Sequence, residues 1–329
     1  MKRIYIIWAA VSTLLISSCT TTNLITIDTL NPAGLTLAHN AGNKNVILVD
    51  NTIPVEKEKE DANNPKNIAI INVDSAKATM LYSIVQFMNE EAYFNNVDIY
   101  PYQTRENDDP ENKSKPLTPS EVLDICKVNS TDILISLDEF SMYGKIEPMN
   151  DNMLELKTGS VLRIYSGLNG RTIQPPIVYT DSLFWFDVYS IKEIDNAIRE
   201  IATIAADKLV SVFVPSWEKQ TRWYYSDGKM KEADKLVKEN KWKEAAQIWG
   251  DLFDKEEKDS RKAKLASNIA LANECLDDIP NAVVWIDIAY GLLPESSQAD
   301  YAIKTTFYRE VLKKREANMG ELKEQLGEE

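Results

Sequence analysis

The sequence predicts an α+β protein in which a mixed α/β region is followed by an all-α region. Residues 46–217 alternate short apolar runs, which are typical of buried strands, with three longer segments of helical periodicity. Residues 226–294 show helical periodicity alone, in two consecutive pairs of segments. Strands interleaved with helices form layers of sheet and helix. We therefore expect a layered α/β domain that precedes a helical domain.

The predicted strands are short and lie between turn-forming residues. Val46–Asp50 and Asp132–Phe140 contain continuous apolar runs, as strands buried on both faces do. Residues 160–165 and 172–180 flank Gly167, Asn169 and Gly170, which predicts a hairpin-type turn. Four further segments are predicted as strands: 24–30 (a strand or an extended tether), 68–73, 97–100 and 182–188.

Three helices are predicted between these strands. The first is Ala76–Phe94, with its large apolar side chains on one side. The second begins at Thr118-Pro119-Ser120-Glu121, which places a threonine at the cap, proline in the first turn and glutamate at the third position. The third is Ile191–Val214, which Pro215 ends.

Alanines and aromatic residues recur in the helical region with helical spacing. Ala245 in the first pair of segments and Ala282 in the second are separated by slightly more than the tetratricopeptide period of about 34 residues. Small side chains let two helices approach closely while an aromatic ring fills the adjacent space. The region resembles tetratricopeptide repeats, and Tyr301–Lys314 is predicted as the helix that caps them. A plain helical bundle without a binding groove is the alternative.

The resemblance to tetratricopeptide repeats implies a concave groove lined by the first helix of each repeat. It nominates five positions of mixed charge as exposed in this groove: Asp234, Lys238, Lys264, Ser267 and Glu274. Mixed charges would suit an extended peptide or a partner helix, because polar contacts fix its register.

The first 18 residues predict a lipoprotein signal peptide. Lys2 and Arg3 precede a mainly apolar run, and Ile16-Ser17-Ser18-Cys19 resembles a bacterial lipobox. The resemblance implies diacylglyceryl transfer to Cys19, cleavage before it and N-acylation, which together anchor a protein stably. A secreted protein cleaved elsewhere nearby is the alternative. Residue 20 is not aspartate and no acidic run follows, so the expected location is the periplasmic face of the outer membrane.

These features divide the chain into five predicted segments. They are a signal peptide (1–18), a lipidated N-terminal tether (19–45), a mixed α/β domain (46–217), a tetratricopeptide-like helical domain with its capping helix (218–320) and a tail (321–329).

Composition argues against nucleic-acid binding and against most catalytic chemistry. The net charge of −14 does not attract phosphate backbones. His39 is the only histidine, so imidazole metal clusters are excluded. The sequence has no phosphate-binding glycine loop and no nucleophile elbow. We therefore predict no catalytic, cofactor-binding or metal-binding residues and a protein that is not an enzyme.

Three groups of residues leave alternatives open. Cys126 and Cys275 are interpreted as two separate buried thiols, with a disulfide as the alternative. Asp138 and Glu139 are interpreted as a strand-terminating acidic turn, because neighbouring strand residues point to opposite faces. Six aromatic residues near the domain junction are interpreted as packing between the α/β domain and the first repeat, with a stacking platform for sugar or peptide as the alternative. They are Trp217, Trp223, Tyr224, Tyr225, Trp242 and Trp249.

The α/β region resembles the N-terminal module of envelope lipoproteins such as the curli-secretion channel and the TolB amino-terminal domain. The resemblance rests on the strand after Thr131-Asp132, on the Val161–Tyr165 strand with its Asn-Gly turn, and on the last helix. It implies an envelope location and the capacity to assemble.

A closer resemblance covers nearly the whole mature chain. It is to a Bacteroides-type lipoprotein family of unknown function that couples an α/β region to tetratricopeptide-like helices. Asp277-Asp278 depart from it, since a glycine is usual there. The motifs that carry the resemblance are Asn31-Pro32-Ala33, Leu137-Asp138-Glu139-Phe140, Arg163-Ile164-Tyr165, Pro215-Ser216-Trp217, Arg222-Trp223-Tyr224-Tyr225, Trp242–Trp249 and Asn268-Ile269-Ala270 with Glu274.

Three functional hypotheses follow from these observations. The first is a non-enzymatic, lipid-anchored envelope protein that binds another protein or peptide through its helical repeats. The second is an oligomerising structural subunit of an envelope assembly or secretion apparatus. The third, with the weakest support, is an envelope hydrolase that uses carboxylates. Expected partners are the membrane through Cys19, another envelope protein or peptide, and further copies of the chain, but no nucleic acid.

Overall fold

The computed structural model describes residues 21–36, 44–53, 73–106, 108, 115–147, 152–294 and 299–327. The chain forms two compact units. The helical unit comprises residues 1–31 and 217–321, and the α/β unit comprises residues 32–216 and 322–329. A sheet-rich part followed by an all-helical part confirms the predicted α+β class. Cys19, His39 and most of the predicted strand 68–73 lie outside the described residues.

Seven strands and eight helices lie within the described residues. The strands are β1 (Thr21–Asn31), β2 (Asn45–Asp50), β3 (Asn96–Ile99), β4 (Ile133–Glu147), β5 (Met153–Ser166), β6 (Ile177–Trp185) and β7 (Ser216–Ser226). The helices are α1 (Val73–Glu90), α2 (Pro119–Asn129), α3 (Ile191–Phe213), α4 (Lys231–Lys238), α5 (Trp242–Lys255), α6 (Asp259–Cys275), α7 (Ile279–Gly291) and α8 (Asp300–Leu326).

The α/β unit contains a five-stranded sheet in the order β3-β2-β4-β5-β6. Strand β2 pairs in parallel with both β3 and β4, while β4, β5 and β6 are antiparallel. The chain leaves β2 toward β3 on one side and returns to β4 on the other. The strand order therefore reverses between β2 and β4, and their carboxyl ends mark the switch point of the sheet.

Helices cover both faces of the parallel part of this sheet. Val46 and Leu48 of β2 pack into the core shared with α1 and α3. Ile47 and Val49, which alternate with them, pack against α2 on the opposite face. Burial on both faces explains why β2 is a continuous apolar run.

The helix starts in the α/β unit follow the predicted capping chemistry. Thr118 Oγ1 accepts a hydrogen bond from the backbone N–H of Glu121 at 3.3 Å, and Thr118 N–H donates to Glu121 Oε2 at 2.7 Å. Ser190 and Glu193 form the same reciprocal pair at the start of α3. Helix α3 ends at Phe213, two residues before Pro215, as the sequence predicts.

The antiparallel strands are longer than predicted. Strand β4 continues to Glu147, so Asp138 and Glu139 lie inside a strand and do not terminate it. Their prediction as an acidic turn was wrong. Register shifts between Leu137 and Glu139, and this bulge allows Leu137 and Asp138 both to be buried. The turn around Gly167 and Gly170 is present, but β6 begins only at Ile177.

In the helical unit, α4 packs on α5, α5 on α6 and α6 on α7. The alanines predicted at the helix contacts are buried in one core, among them Ala233, Ala245, Ala270 and Ala282. At the α6–α7 connection Asp277 adopts φ 60°, a left-handed conformation that aspartate tolerates. Asp278 then caps α7 by accepting a hydrogen bond from Asn281 N–H at 3.3 Å.

Strand β1 corrects the prediction of a tether over residues 19–45. It pairs with β7 in a two-stranded sheet of the helical unit. Thr21 Oγ1 donates to the carbonyl of Ser226 and Thr29 Oγ1 to that of Glu218, each at 3.3 Å, so the strands are antiparallel. Ile25 packs against the helical core. Strand β7 was not predicted, because its residues do not alternate between buried and exposed positions.

The predicted tail over residues 321–329 is also corrected. Helix α8 continues through Leu326, well beyond the predicted end at Lys314. Within the α/β unit, Gln325 accepts a hydrogen bond from Ala33 N–H at 2.8 Å and donates to the Ala33 carbonyl at 3.1 Å. These paired bonds hold the last turn of α8 in place.

The Gly170 turn gives a testable prediction. Gly170 has φ 70°, and a Cβ there would lie 2.4 Å from the carbonyl oxygen of Pro119. Gly170→Ala should lower the free energy of unfolding by about 2 kcal/mol, since it combines an unfavourable φ with a clash. Urea unfolding followed by circular dichroism measures this change. Gly228→Ala is the control, because a Cβ at Gly228 meets nothing within 4 Å. Equal effects of the two substitutions would contradict the prediction.

Candidate functional site

The predicted groove positions lie on α4 and α6, and their side chains differ in how exposed they are. Lys238 is exposed at the end of α4. Lys264 is half-buried, with its Nζ 5.7 Å from the ring centre of Tyr225 and 5.4 Å from that of Tyr301. Asp234 is half-buried and accepts a hydrogen bond from Ser226 Oγ. Lys238 is therefore the most open of these three side chains.

Ser267 and Glu274 are buried, so the prediction that they are exposed was wrong. Helix α6 packs between α5 and α7 and is buried around most of its circumference. A helix in that position has no open face on which a groove residue could lie. The repeat register treats α6 as a groove-lining helix, whereas the fold uses it as the centre of the core.

Glu274 is the centre of a buried ionic cluster. Arg222 of β7 donates from Nε and Nη2 to its two carboxylate oxygens, both at 2.9 Å. Tyr308 Oη of α8 donates to Oε2 at 2.6 Å, and Arg315 Nη1 donates to Oε1 at 3.0 Å. Arg315 also reaches Asp277 at 3.2 Å. Charge-assisted bonds of this kind are the strong ones, and here they join β7, α6 and α8.

The groups around Glu274 are poorly suited to proton transfer. Burial, and then the neighbouring Glu274 carboxylate, raise the pKa of Tyr308 well above its usual value. Burial raises the pKa of the adjacent Cys275 thiol to about 12. The carboxylate faces two guanidinium groups that keep their charge at all relevant pH values. The cluster therefore holds the unit together and offers no free acid, base or nucleophile.

The two described cysteines, Cys126 and Cys275, are free as predicted, but Cys275 is half-buried and not fully buried. Cys126 is buried in the α/β unit, and burial raises the pKa of its thiol too. The thiolate is the reactive form of cysteine, so neither site is activated.

The aromatic residues belong mainly to the core of the helical unit. Tyr224 and Trp249 are buried with their ring centres 6.2 Å apart, and Trp223 lies 5.7 Å from Tyr308. These rings pack within the helical unit, whereas the sequence analysis predicted packing between the α/β domain and the first repeat. Trp217, by contrast, is exposed.

A second polar cluster lies where β2 and β4 mark the switch point of the sheet. Asp138 accepts hydrogen bonds from Asn51 Nδ2 at 2.8 Å, Ser136 Oγ at 2.7 Å and Arg163 Nη1 at 2.9 Å. Lys77 of α1 reaches Asp50 at 2.9 Å. Ligands of open α/β sheets bind at such points. Here, however, the buried groups bond to one another and tie the end of β2 to its neighbours.

The sequence analysis missed this second cluster. A polar triplet, Asp50-Asn51-Thr52, directly after a buried apolar strand was the available signal. The spatial partners Lys77 and Arg163 come from a helix and a strand far along the chain, and no local pattern marks them.

Exposed apolar side chains form the other notable surfaces. Val284 and Ile288 lie one helical turn apart on α7, and Ile303 and Phe307 do so on α8. In the α/β unit, Val178 and Phe184 are exposed on the edge strand β6. Isolated exposed apolar residues are ordinary, whereas these residues are exposed in pairs on one side of their helix or strand.

Neither metal ligation nor membrane spanning is evident in the part of the chain that the structure describes. Its His, Cys, Asp and Glu side chains do not come together in any group of three that could hold a metal ion. Its helices include none that is both long and apolar enough to cross a bilayer.

The sequence matches the models of two known domain families. Residues 43–225 match the model of a domain of unknown function, DUF8603. The chain belongs to this family. Residues 231–314, which contain α4 to α7 and half of α8, match a second domain of unknown function, DUF6340. No curated protein matches the chain.

Two solved structures are similar in part. One is a dodecamer of a PelC point variant from Paraburkholderia phytofirmans, with 13% identity, a TM-score of 0.30, and coverage of 58% of this chain and 98% of that one. The other is a minor lipoprotein from Acinetobacter baumannii, with 9% identity, a TM-score of 0.27, and coverage of 51% and 89% respectively. Likenesses at these TM-scores carry no argument about function.

The Glu274 cluster predicts a large difference between buried and exposed ion pairs. Glu274→Gln leaves the buried Arg222 without its counterion and Arg315 with only its pair to the exposed Asp277, so the free energy of unfolding should fall by about 3 kcal/mol. Glu239→Gln is the matched control, because its pair with Lys241 is half-exposed and such pairs contribute under about 1 kcal/mol. Urea unfolding of both variants measures the change in the free energy of unfolding. A loss at Glu274 no larger than that at Glu239 would show that the cluster is not structural.

Proposed function

We propose that this chain is a lipid-anchored protein of the bacterial cell envelope that binds another protein and has no catalytic activity. The anchor is Cys19, whose support is the lipobox-like sequence Ile16-Ser17-Ser18-Cys19 after an apolar run. The proposed location is the periplasmic face of the outer membrane. Two resemblances, to Bacteroides-type envelope lipoproteins and to tetratricopeptide repeats, agree with this proposal.

The observation that carries the binding role is the apolar surface of the helical unit. Val284 of α7 and Ile303 of α8 are 54% and 55% exposed, and each has a second exposed apolar side chain one turn later. Side chains at i and i+4 on one helix are the anchors that an amphipathic partner helix contacts. We name these four residues, Val284, Ile288, Ile303 and Phe307, the apolar pairs.

The buried acidic groups support a role other than catalysis. Among the described residues, the buried carboxylates are Asp138, Asp227 and Glu274. Each of them forms an ion pair with an arginine. A general acid or base needs access to substrate, and buried carboxylates that are neutralised in this way do not have it.

The apolar pairs replace the predicted groove as the proposed contact surface. Ser267 and Glu274 are buried, so the groove of the repeat register is closed at its centre. A partner would instead lie against the outer faces of α7 and α8. We still propose a tetratricopeptide-like arrangement of α4 to α7, because consecutive helices pack through buried alanines.

Charged substitutions at the apolar pairs test this function. Val284→Lys combined with Ile303→Lys should abolish recovery of the partner in cells, because a lysine in an apolar contact must be desolvated. In-cell crosslinking, affinity purification and mass spectrometry identify the partner. The control is Val128→Lys with Leu168→Lys, which places the same charges at exposed apolar positions of the α/β unit. A partner that survives the first pair of substitutions would sink the proposal.

A second candidate function is self-association through β6. This strand ends the sheet order, and no further strand pairs with it in the described part of the chain. Its solvent-facing residues are Val178, Thr180, Ser182 and Phe184, none of them charged. Natural edge strands usually carry charges or prolines that prevent pairing with another chain. The one charged side chain of β6, Asp181, lies on the other face of the strand and pairs with Lys208 at 2.6 Å, so the outer face of this edge carries no charge and favours assembly with a second copy.

Sedimentation equilibrium of the detergent-solubilised protein tests this candidate. We expect a mass above that of one chain, and reduction to the monomer mass by Val178→Lys with Phe184→Lys. The control variant Val128→Lys with Leu168→Lys should keep the parental mass. A parental protein that is strictly monomeric would rule out self-association.

A further inference from the structure

Helix α4 presents a cationic face in a chain whose net charge is −14. Lys231, Lys235 and Lys238 are exposed and recur at i, i+4 and i+7, which places them on one side of the helix. We name them the lysine face. The nearest acidic side chain by helical position, Asp234, is bonded to Ser226. The lysine face is therefore a locally positive surface on a chain whose net charge is negative.

Strand β1 lies beside the lysine face within the helical unit. Residues 23–26 of β1, Tyr224 of β7, and Val237, Lys238, Asn240 and Trp242 line a depression of about 490 Å³. Leu24 in this wall is 71% exposed, and Trp242 is half-buried. An exposed leucine, a partly exposed tryptophan and lysines on one surface are the residues found where proteins meet membrane interfaces.

The position of Cys19 in the chain brings this surface close to a membrane. Leu24 follows Cys19 by five residues, and an extended chain spans at most about 3.6 Å per residue. The Cα atoms of the two residues are therefore separated by no more than about 18 Å. That distance is an upper limit, so Leu24 can approach the membrane surface to within one Debye length, about 8 Å at physiological salt, where the headgroup charge acts on the protein.

We propose that the lysine face, with Leu24 and Trp242, docks on the anionic phospholipid headgroups of the membrane that holds Cys19. This inference rests on the proposed lipid anchor and adds an orientation to it. The lysines contact phosphate groups, while Leu24 and Trp242 enter the interface between headgroups and acyl chains. The anchor alone would leave the protein free to rotate about its attachment point.

The acidic residues near this face weaken the docking without cancelling it. Glu232 and Glu239 are exposed on another side of α4, roughly a quarter turn from the lysine face. Glu239 is paired with Lys241 at 2.7 Å. Lys241 and Lys243 are further exposed lysines next to Trp242, while Glu244 of α5 and Asp28 of β1 are exposed acidic residues, so the docking depends on the three lysines that share one side of α4.

The test supplies the anchor chemically, so that it does not depend on natural acylation. The mature chain, expressed from Cys19 onward, is coupled through that thiol to vesicles that carry a maleimide lipid. Cys126 is buried, and the half-buried Cys275 is replaced by alanine in every sample, so coupling is selective for Cys19. One set of vesicles contains phosphatidylcholine alone, and the other contains phosphatidylcholine and phosphatidylglycerol in equal parts.

A water-soluble lysine-acetylating reagent, with peptide mass spectrometry, reports which lysines the membrane shields. On anionic vesicles the three residues of the lysine face should react roughly fivefold more slowly than on neutral vesicles, given the usual contribution of each lysine near a charged surface. High salt should remove the difference. Lys127, Lys192 and Lys255 are exposed lysines in the same sample, and their rates should not change with lipid composition.

A leucine substitution tests the apolar part of the surface. Leu24→Ser should reduce the shielding of the lysine face, whereas Leu168→Ser, which changes an exposed leucine of the α/β unit, should leave it unchanged. Both leucines are exposed, so neither variant is expected to impair folding.

Two results would overturn the docking proposal. The first is equal acetylation of the lysine face on both kinds of vesicle. The second is shielding only after envelope proteins are added, which would make this face a protein-binding surface. Mass spectrometry of the native Cys19 peptide tests the lipid anchor separately, so failure of the anchor and failure of docking are distinguishable.

Discussion

The helical unit depends on one buried carboxylate. Glu274 accepts hydrogen bonds from two arginines and a tyrosine that reach it from β7 and α8. Helices that pack through alanine have little side-chain volume with which to fix their rotation, so directional bonds supply that specificity. The same contacts explain why α6 cannot line a groove. A carboxylate compensated in this way stays buried, so α6 does not present it at the surface.

The α/β unit is organised around an apolar strand at its centre. Strand β2 pairs on both edges and is covered on both faces, so its position is fixed by burial alone. The polar cluster at the carboxyl end of β2 supplies hydrogen-bond partners for polar groups that this burial would otherwise leave unpaired. Strand β6 lies at the end of the sheet, and no described strand pairs with its outer edge. Its outer face carries no charge. Both units thus combine a tightly packed core with exposed apolar side chains on the outside.

The sequence was most informative where a feature is local. The Thr118 capping box, the apolar run of β2 and the periodicity of α3 each arise within a few residues, and all three are present in the structure. Strand β7 escaped prediction because it has no strong period and depends on a partner at the other end of the chain. The groove positions failed for a related reason. A repeat register specifies which side of α6 Ser267 and Glu274 occupy, but burial depends on β7 and α8, which no repeat pattern includes. Lys238 stayed exposed because α4 begins the helical series and has a neighbouring helix on only one side.

The pairing of β1 with β7 makes the helical unit a discontinuous domain into which the α/β unit is inserted. Thr21 and Ser226, which are bonded across this ribbon, are 205 residues apart in sequence. Closing a loop of that length from the unfolded chain is entropically costly and slow. The α/β unit removes most of this cost, because its own fold joins Gly34 N–H to the Ser211 carbonyl at 3.2 Å. Once it has folded, the two strands are held at the ends of short connections, and the ribbon closes as if it were a local hairpin. Assembly of the helical unit is thereby coupled to prior folding of its insert.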